Sequence, residues 1–429
     1  MPAAIRKSLL QFIFSGAYMK RWNDKLRPTE LIEIDKQAHK MIVAWMLCRL
    51  STRGESLERR QTLEEEVAEK GIFDYLFRLV ITDIKPPVLD RIRENPDHYR
   101  RLAAWAMNEI QPILRPLGED FFERFADYVQ RPQLQGQAAD ILTAAHTFAS
   151  AWELRLLKSL NDPFDEEIQE IGEQLIQRLD SCVQTPGVAE IAAVFKEGAG
   201  SGAGSEDTKG RALARFVVLC GQLRFQKRWS QTPRIPETSV MGHMFITACY
   251  AFFLSLSIGA CPARRVNNFF SGLFHDLPEI LTRDIISPVK KSFAGLGEII
   301  RAYEESELER QILNPLLADG HTDIVQRLSY YLGLNVGSEF TDCIIRDGKI
   351  EQVTFADLQG PCNLDTLDPK DGEALKICDI LAAYIEAYTT MRNGVTSAQI
   401  QEAFWRMREQ NSRRTLGDFH IGAIFADFD

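Results

Sequence analysis

The sequence has no pattern of cysteines that would indicate disulfide bonds or a structural zinc site. Its eight cysteines are spread singly through 429 residues, and no two of them form a C-x-x-C pair. Single, scattered cysteines are typical of proteins in a reducing compartment. The first ten residues contain neither a sustained apolar stretch nor a small-residue cleavage site, so a secretory signal is not expected. These absences together predict a cytoplasmic protein.

The chain also lacks an excess of positive charge. It has 50 Lys and Arg residues against 60 Asp and Glu residues, which gives a formal net charge of −10. This balance argues against a surface that binds extended nucleic acid, although it does not exclude a local basic pocket for one phosphate. The longest apolar stretch, residues 244–260, is interrupted by Thr247, Ser255 and Ser257. We therefore expect it to form a central buried helix and not a membrane span.

A glycine- and serine-rich stretch, residues 196–210, divides the sequence almost in half. This composition is typical of a flexible linker. On both sides of it, apolar residues recur at spacings of three and four, which indicates amphipathic helices. The sequence therefore predicts an all-α protein with two tandem helical domains, residues 1–195 and residues 211–429.

One segment of the second half departs from the helical pattern. Residues 340–355 contain two short runs of strand-forming residues on either side of Asp347-Gly348. An Asp-Gly pair between two such runs is a strong local indicator of a β-hairpin. We therefore predict a small hairpin inserted in the second domain.

Short matches between the two halves suggest an internal repeat. They occur in the same order in both halves: Lys20-Arg-Trp22 with Lys227-Arg-Trp229, residues 82–88 with 283–289, and residues 139–144 with 378–383. Any one match could arise by chance, but three in the same order favour a duplicated helical domain.

A group of histidine and acidic residues in the second half has the composition of a metal site. The adjacent His275 and Asp276 offer an imidazole nitrogen and a carboxylate oxygen, a mixed pair that first-row divalent metals accept. Glu279 follows at helical spacing and would lie on the same face. His243, at the start of the apolar stretch, and Asp379, within an apolar helix, could complete a set of four ligands. A buried Asp379 would be costly without a partner.

Each of these residues also has an ordinary structural explanation when taken alone. His243 could be a hydrogen-bonded core histidine, and the His275-Asp276 pair could cap a helix. Trp229 could simply pack against its neighbours, and Arg228 could form a surface ion pair. It is the combination and order of the residues that favours a metal site.

These motifs resemble the HD superfamily of metal-dependent phosphohydrolases, and more narrowly its branch of bacterial 5′-deoxyribonucleotidases. The resemblance covers roughly residues 211–393. It rests on the runs Lys227-Arg-Trp229, Pro236-Glu-Thr-Ser-Val-Met-Gly-His243, His275-Asp-Leu-Pro-Glu279, Asp284-Ile-Ile-Ser-Pro-Val-Lys290 and Asp379-Ile-Leu-Ala-Ala-Tyr-Ile-Glu386.

The resemblance implies an all-helical HD-type core with one divalent metal ion, commonly manganese or cobalt, and the internal repeat extends this to two tandem HD-type domains. The implied ligands are His243, His275, Asp276 and Asp379. Two further pairs have implied roles: Glu279 would activate the attacking water with help from Asp284, and Arg228 and Trp229 would contact the nucleotide. One departure is the Gly-His-Met run at residues 242–244, where the family usually has Glu-His-Ser.

The first half lacks most of these residues. The gapless match between residues 82–88 and 283–289 can be extended toward the N-terminus. It then places Asp74, Tyr75 and Arg78 opposite His275, Asp276 and Glu279. His39 could correspond to His243, and Asp140 to Asp379, but two ligands without the central pair should bind metal poorly. We therefore expect a degenerate HD-like domain in this half, kept for packing, regulation or substrate closure.

The expected function is hydrolysis of a small phosphate ester, such as a 5′-deoxynucleoside monophosphate, by a metal-dependent enzyme. The expected partner is this small molecule, with no extended nucleic acid and no membrane, and homodimerisation stays open. The rival expectation is a non-catalytic protein that senses nucleotides or acts as a scaffold. Hydrolysis of an alarmone-like diphosphate is less favoured because Ile280 follows Glu279 where such members carry a second acidic residue.

Overall fold

The computed structural model describes residues 4–133, 135–196, 211–282 and 295–428. Helices dominate both halves, as the apolar spacing predicts. The helices of the first half are α1 (Lys7–Phe14), α2 (Glu33–Ser51), α3 (Leu57–Ile81), α4 (Pro86–Glu94), α5 (Pro96–Leu114), α6 (Glu119–Gln130), α7 (Gln137–Lys158), α8 (Glu166–Ser181) and α9 (Val188–Lys196). The predicted linker lies almost wholly outside the described residues.

The second half continues with a similar set of helices. They are α10 (Ala212–Cys220), α11 (Val240–Ser257), α12 (Pro262–Phe274), α13 (Glu279–Thr282), α14 (Leu296–Leu308), α15 (Asn314–Ala318), α16 (Thr322–Tyr331), α17 (Phe355–Gln359), α18 (Gly372–Arg392), α19 (Ala398–Asn411) and α20 (Ile421–Ala426). Short 3-10 turns occupy Ser15–Tyr18, Arg115–Leu117, Gly221–Phe225 and Asp365–Leu367, and a π turn occupies Glu309–Leu313.

Two small antiparallel sheets complete the described fold. In the first half, β1 (Lys20–Arg21) pairs with β2 (Leu31–Ile32), a pairing that the sequence did not predict. In the second half, β3 (Cys343–Arg346) pairs with β4 (Lys349–Gln352) around Asp347-Gly348. Both turn residues have positive φ, 49° and 74°, as a tight hairpin turn requires. The predicted hairpin is confirmed.

The central helix α11 forms the middle of the protein. It is long and apolar enough to cross a membrane, but 89% of it is buried by neighbouring helices. Helices α12 and α18 of the second half pack against it, and so does α2 of the first half. The buried apolar side chains of the two halves form one continuous core. Burial on all sides explains why the sequence of α11 is apolar around its whole circumference.

Helices α11 and α12 approach each other closely at Gly272. A Cβ atom at this position would lie 2.8 Å from Cα of Ala248, so only glycine fits. This close approach brings the C-terminal end of α12, and the residues that follow it, against the first turns of α11.

Candidate metal centre

His243 lies in the first turn of α11 and is fully buried. The helix begins at Ser239, whose hydroxyl accepts a hydrogen bond from the Gly242 backbone N–H (2.9 Å), as an N-cap serine does. The same hydroxyl donates to Asp35 of α2 (2.6 Å). The imidazole Nε2 of His243 lies 3.1 Å from Oδ1 of Asp379. The first predicted ligand is thus held by the N-terminal cap of the central helix.

His275 and Asp276 come directly after α12. The Nδ1 atom of His275 is 2.8 Å from the carbonyl oxygen of Gly272, so Nδ1–H donates and Nε2 is the nitrogen that faces the neighbouring carboxylates. Nε2 is buried, and none of the described residues forms a hydrogen bond of good geometry with it. It lies 3.2 Å from Oδ2 of Asp276 and 3.9 Å from Oδ1 of Asp379. A metal ion is the group that would satisfy such an atom, and the backbone carbonyl would orient the ligand.

Asp379 extends from α18 toward the two histidines. Its Oδ1 faces His243, and its Oδ2 accepts a hydrogen bond from Lys376 one helical turn earlier (2.8 Å). Lys376 also lies 4.1 Å above the Phe340 ring. Asp379 is only partly buried, with 19% of its side chain exposed, and it has the partners expected for such a carboxylate in Lys376 and His243.

The structure brings all four sequence-predicted ligands together. The candidate ligand atoms of His243, His275 and Asp276 lie within 4.8 Å of one another. Oδ1 of Asp379 approaches both histidines, as described above. Two imidazoles and two carboxylates from three different helical segments form a donor set that suits a first-row divalent metal. The donor set and the orphaned Nε2 of His275 thus fit a bound metal ion.

The electrostatics of the cluster favour positive charge. Burial alone would lower the pKa of His275, but the carboxylates of Asp276 and Asp379 raise it to about 9. Burial opposes ionisation of Asp276, yet His275 and His243 lower its pKa below the usual range. The pKa of Asp379 is also lowered, against the effect of burial, by His243 and Lys376. Both carboxylates are therefore ionised at neutral pH and attract a cation.

Glu386, seven residues after Asp379, connects the cluster to the predicted substrate-binding pair, and sequence reasoning gave it no role of its own. This fully buried carboxylate accepts hydrogen bonds from the Trp229 indole N–H and the Thr238 hydroxyl, both at 2.8 Å. Its Oε1 lies 3.6 Å from Nδ1 of His243. A spacing of seven residues places Asp379 and Glu386 on one face of α18, which is the sequence signal for this pairing.

Arg228 and Trp229 occupy different positions relative to the cluster. The Arg228 guanidinium lies 3.5 Å from Oδ2 of Asp276 and 3.4 Å from Glu386, with 13% of its side chain exposed. It therefore lies at the edge of the cluster, beside Asp276, which is itself 21% exposed. The indole N–H of Trp229 donates to Glu386, so Trp229 fixes the loop before α11 to helix α18.

The two predicted catalytic acids have different outcomes. Glu279 begins α13 and is buried, and its backbone N–H donates to the carbonyl oxygen of Asp276 (3.1 Å). It thus lies one turn beyond the His275-Asp276 pair, as predicted from the spacing. Asp284 lies outside the described residues.

The first-half residues matched to the ligands do not form a second metal site. Both ring nitrogens of His39 are engaged, Nε2 with the Val217 carbonyl oxygen (2.8 Å) and Nδ1 with Arg224 (3.1 Å). Asp140 is exposed in the first turn of α7. The suggestion that His39 and Asp140 stand in for His243 and Asp379 is wrong, because the buried ring and the exposed carboxylate face different surroundings.

The departure at Gly242 has a steric explanation. A Cβ atom there would lie 2.6 Å from Cδ1 of Ile34 and 2.8 Å from Oδ1 of Asp35. Helix α2 of the first half thus fills the space that a side chain at position 242 would need. The glutamate that the HD family usually carries before this histidine does not fit in this fold.

Comparison with known families gives one match. Residues 220–408 match the family described as HD domain. The matched segment includes His243, His275, Asp276 and Asp379. Comparisons with curated proteins and with solved structures give no match. The second half of this chain is therefore similar to HD domains from residue 220 to residue 408.

Proposed function

We propose that the chain is a metal-dependent phosphohydrolase that cleaves a small phosphomonoester. The observation that carries this proposal is the convergence of two imidazoles and two ionised carboxylates around the orphaned Nε2 of His275. A divalent ion held there would supply Lewis acidity for attack on phosphorus. The HD-domain match supports the same class of chemistry.

The protein groups around the cluster each have a task in this proposal. The Gly272 carbonyl fixes the tautomer of His275, and Glu386 lies behind His243 on the side away from the ligand atom. The Arg228 guanidinium, beside Asp276 and partly exposed, is placed to bind phosphate oxygens. Burial of the cluster floor strengthens these interactions, since the local dielectric is low.

Glu279 is the proposed proton acceptor. It follows the ligand pair by one turn, is buried, and is the acidic residue that the spacing places on the face of His275 and Asp276. A carboxylate there can take the proton of the attacking water as the water adds to phosphorus. Protonation of the leaving alcohol would complete the reaction, and Asp284 is the proposed assisting acid.

A 5′-deoxynucleoside monophosphate is the proposed substrate. The support is the resemblance of the Lys227-Arg-Trp229 and His275-Asp-Leu-Pro-Glu279 motifs to the 5′-deoxyribonucleotidase branch. The overall acidity of the chain favours a small substrate met by a local cation such as Arg228 over a polymer. Manganese and cobalt are the proposed metals, and one ion per chain is expected.

The test is phosphate release from a panel of nucleoside and deoxynucleoside monophosphates with manganese- or cobalt-loaded protein. Glu279→Gln should remove release while leaving metal content unchanged, because it keeps the shape of the side chain and removes the base. Glu402→Gln, on the exposed face of α19, is the matched control. Full metal occupancy without release from any substrate would refute the enzyme and favour a nucleotide sensor or scaffold.

A further inference from the structure

The first half contains a second polar cluster whose surroundings repeat those of the candidate metal centre. The indole N–H of Trp22 donates to Glu153 (3.0 Å), as that of Trp229 donates to Glu386 (2.8 Å). Both tryptophans have the same unusual backbone conformation, with φ of 57° and 56°. The two halves therefore share a tryptophan–glutamate contact between a loop and a long helix.

Three matched contacts set the correspondence between the helices. They are the strand contacts Lys20–Ile32 and Lys227–Ser239, the glycine contacts Gly71–Met41 and Gly272–Ala248, and the tryptophan contacts just described. Counting along each helix from these contacts pairs Lys36 with His243, Asp74 with His275, and His146 with Asp379.

Side-chain contacts agree with this counting. The ammonium group of Lys36 lies 2.6 Å from Nδ1 of His146, in the arrangement that joins His243 to Asp379 (3.1 Å). Two of the four metal ligands are thus matched by a lysine and a histidine that contact each other. The remaining ligand positions carry Asp74 and Tyr75.

The replacement makes this place rich in buried cations. Lys36 and Lys40 are 1% and 0% exposed, and the guanidinium groups of Arg21 and Arg78 lie nearby around Glu33. We call the set of Arg21, Lys36, Lys40, Arg78 and His146 the first-half basic cluster.

The neighbouring carboxylates are already engaged. Both oxygens of Glu153 bind arginines, with Arg224 at 3.0 Å and Arg21 at 2.8 Å. Glu33 accepts from Arg21 and Gln37, at 2.9 Å and 2.7 Å. Asp74 accepts from Lys40 at 2.5 Å and from the Tyr128 hydroxyl.

Lys36 is left without an ion pair among the described residues, and its hydrogen-bond partner is an imidazole. The ring nitrogens of His146 face Lys36, and desolvation at this inner edge, together with the charges of Lys36 and Lys40, lowers the pKa of His146 well below its usual value. Burial and the Arg21 guanidinium likewise lower the pKa of Lys36. A buried amine in this situation is stabilised in its charged form by a nearby anion.

Solvent reaches the cluster. His146 is exposed, and 39% of the Asp74 side chain is accessible. His146 and Asp74 therefore mark the side of the cluster from which a small anion would approach the buried Lys36 ammonium.

We propose that the first-half basic cluster is a metal-independent binding site for a phosphate-bearing small molecule. In this site the ammonium of Lys36 provides the positive charge that a metal ion would provide at the corresponding place in the second half. Arg21 and Arg78, at the rim, offer planar donors that suit phosphate oxygens. The first half then acts as a binding domain, separate from the proposed catalytic centre and independent of its activity.

Isothermal titration calorimetry on the full chain in excess EDTA tests this proposal, with inorganic phosphate and deoxynucleoside monophosphates as titrants. Binding is expected without metal. Lys36→Met should weaken it by about 10- to 100-fold, the effect of losing one charged hydrogen bond. Lys349→Met, on the exposed hairpin, is the matched control and should bind as the unmodified protein does. Binding of inorganic phosphate alone would identify an orthophosphate site, whereas much tighter binding of the nucleotides would identify an organic phosphate ester.

Two further variants keep the test decisive. Arg78→Gln changes a partly exposed side chain at the rim and should also weaken binding if Lys36→Met fails to fold. Arg228→Gln changes the proposed catalytic centre and should leave metal-free binding intact. Loss of binding in Arg228→Gln, with Arg78→Gln unaffected, would place the anion in the second half and overturn the proposal. Absence of metal-free binding to the unmodified protein would overturn it equally.

Discussion

Replacing Glu386 by glutamine should weaken metal binding although Glu386 is not a predicted ligand. The carboxylate lies 3.6 Å from Nδ1 of His243, whose other nitrogen faces the metal cluster. It also holds Trp229 and Thr238, and the guanidinium groups of Arg228 and Arg234 lie 3.4 Å and 3.6 Å away. Burial opposes its ionisation, but Arg234 and Arg228 lower its pKa well below the usual value, so a full negative charge is lost in the variant.

The size of the effect follows from these contacts. Loss of a carboxylate that orients a ligating histidine typically weakens metal affinity by about 10- to 100-fold. Removing one partner of a buried ion pair also costs about 3–5 kcal/mol in the free energy of unfolding, because the guanidinium groups stay buried. Manganese affinity is measured by calorimetry, and stability by urea denaturation, on the same preparation.

The first half provides a matched control for this variant. Glu153 makes the same contacts with Trp22 and two arginines, but it lies in the half without the predicted ligands. Glu153→Gln should lower stability by a similar amount and leave manganese affinity unchanged. If Glu386→Gln also leaves manganese affinity unchanged, the assigned role of Glu386 in orienting His243 is refuted.

Three other predictions follow from the structure. Manganese at about 100 times its dissociation constant should add about 2.7 kcal/mol to the free energy of unfolding. His275→Ala should abolish this gain, whereas His98→Ala, at an exposed position, should keep it; differential scanning fluorimetry with and without manganese measures both. Gly272→Ala should cost about 1–3 kcal/mol and lower metal affinity, because its Cβ would press on the α11 backbone. Gly71→Ala should cost less, because the only atoms closer than 3.4 Å to its Cβ belong to the flexible Met41 side chain; equal costs in urea denaturation would contradict this expectation. Burial and the nearby Asp371 raise the pKa of Asp342 from 3.8 to about 7, so the folded state binds an extra proton and stability falls as pH rises from about 4 to 7. Asp342→Asn should therefore be more stable than the unmodified protein by about 2 kcal/mol at pH 8 and by little at pH 4. A constant difference in stability across this range would exclude Asp342 as the source of the pH dependence.

Local chemistry determined which parts of the fold could be predicted from the sequence. The hairpin was predictable because Asp347-Gly348 specifies a turn with positive φ at both positions, whatever surrounds it. The four ligands could be proposed because their order along the chain forms a pattern. The pairing of β1 with β2 was not predictable, since each strand has only two residues and no alternation to detect.

The correspondence between the halves shows the limit of short sequence matches. The run at residues 139–144 pairs Asp140 with Asp379, whereas the tryptophan–glutamate contacts pair His146 with Asp379. The difference is six residues of helix α7, nearly two turns. Sequence similarity survived at a part of the helix that does not face the cluster, so only the contacts reveal which side chains occupy equivalent places.

The close contact of α2 with Gly242 has a consequence for how sequence change can accumulate in this protein. Ile34 and Asp35 from one half occupy the space beside a ligand-bearing turn of the other, and Asp35 also accepts from Ser239, the cap of α11. A larger residue at position 242 can therefore be accepted only together with smaller ones at positions 34 and 35. The two halves must vary in concert at this contact, so neither can be exchanged for a homologous domain without redesigning the other.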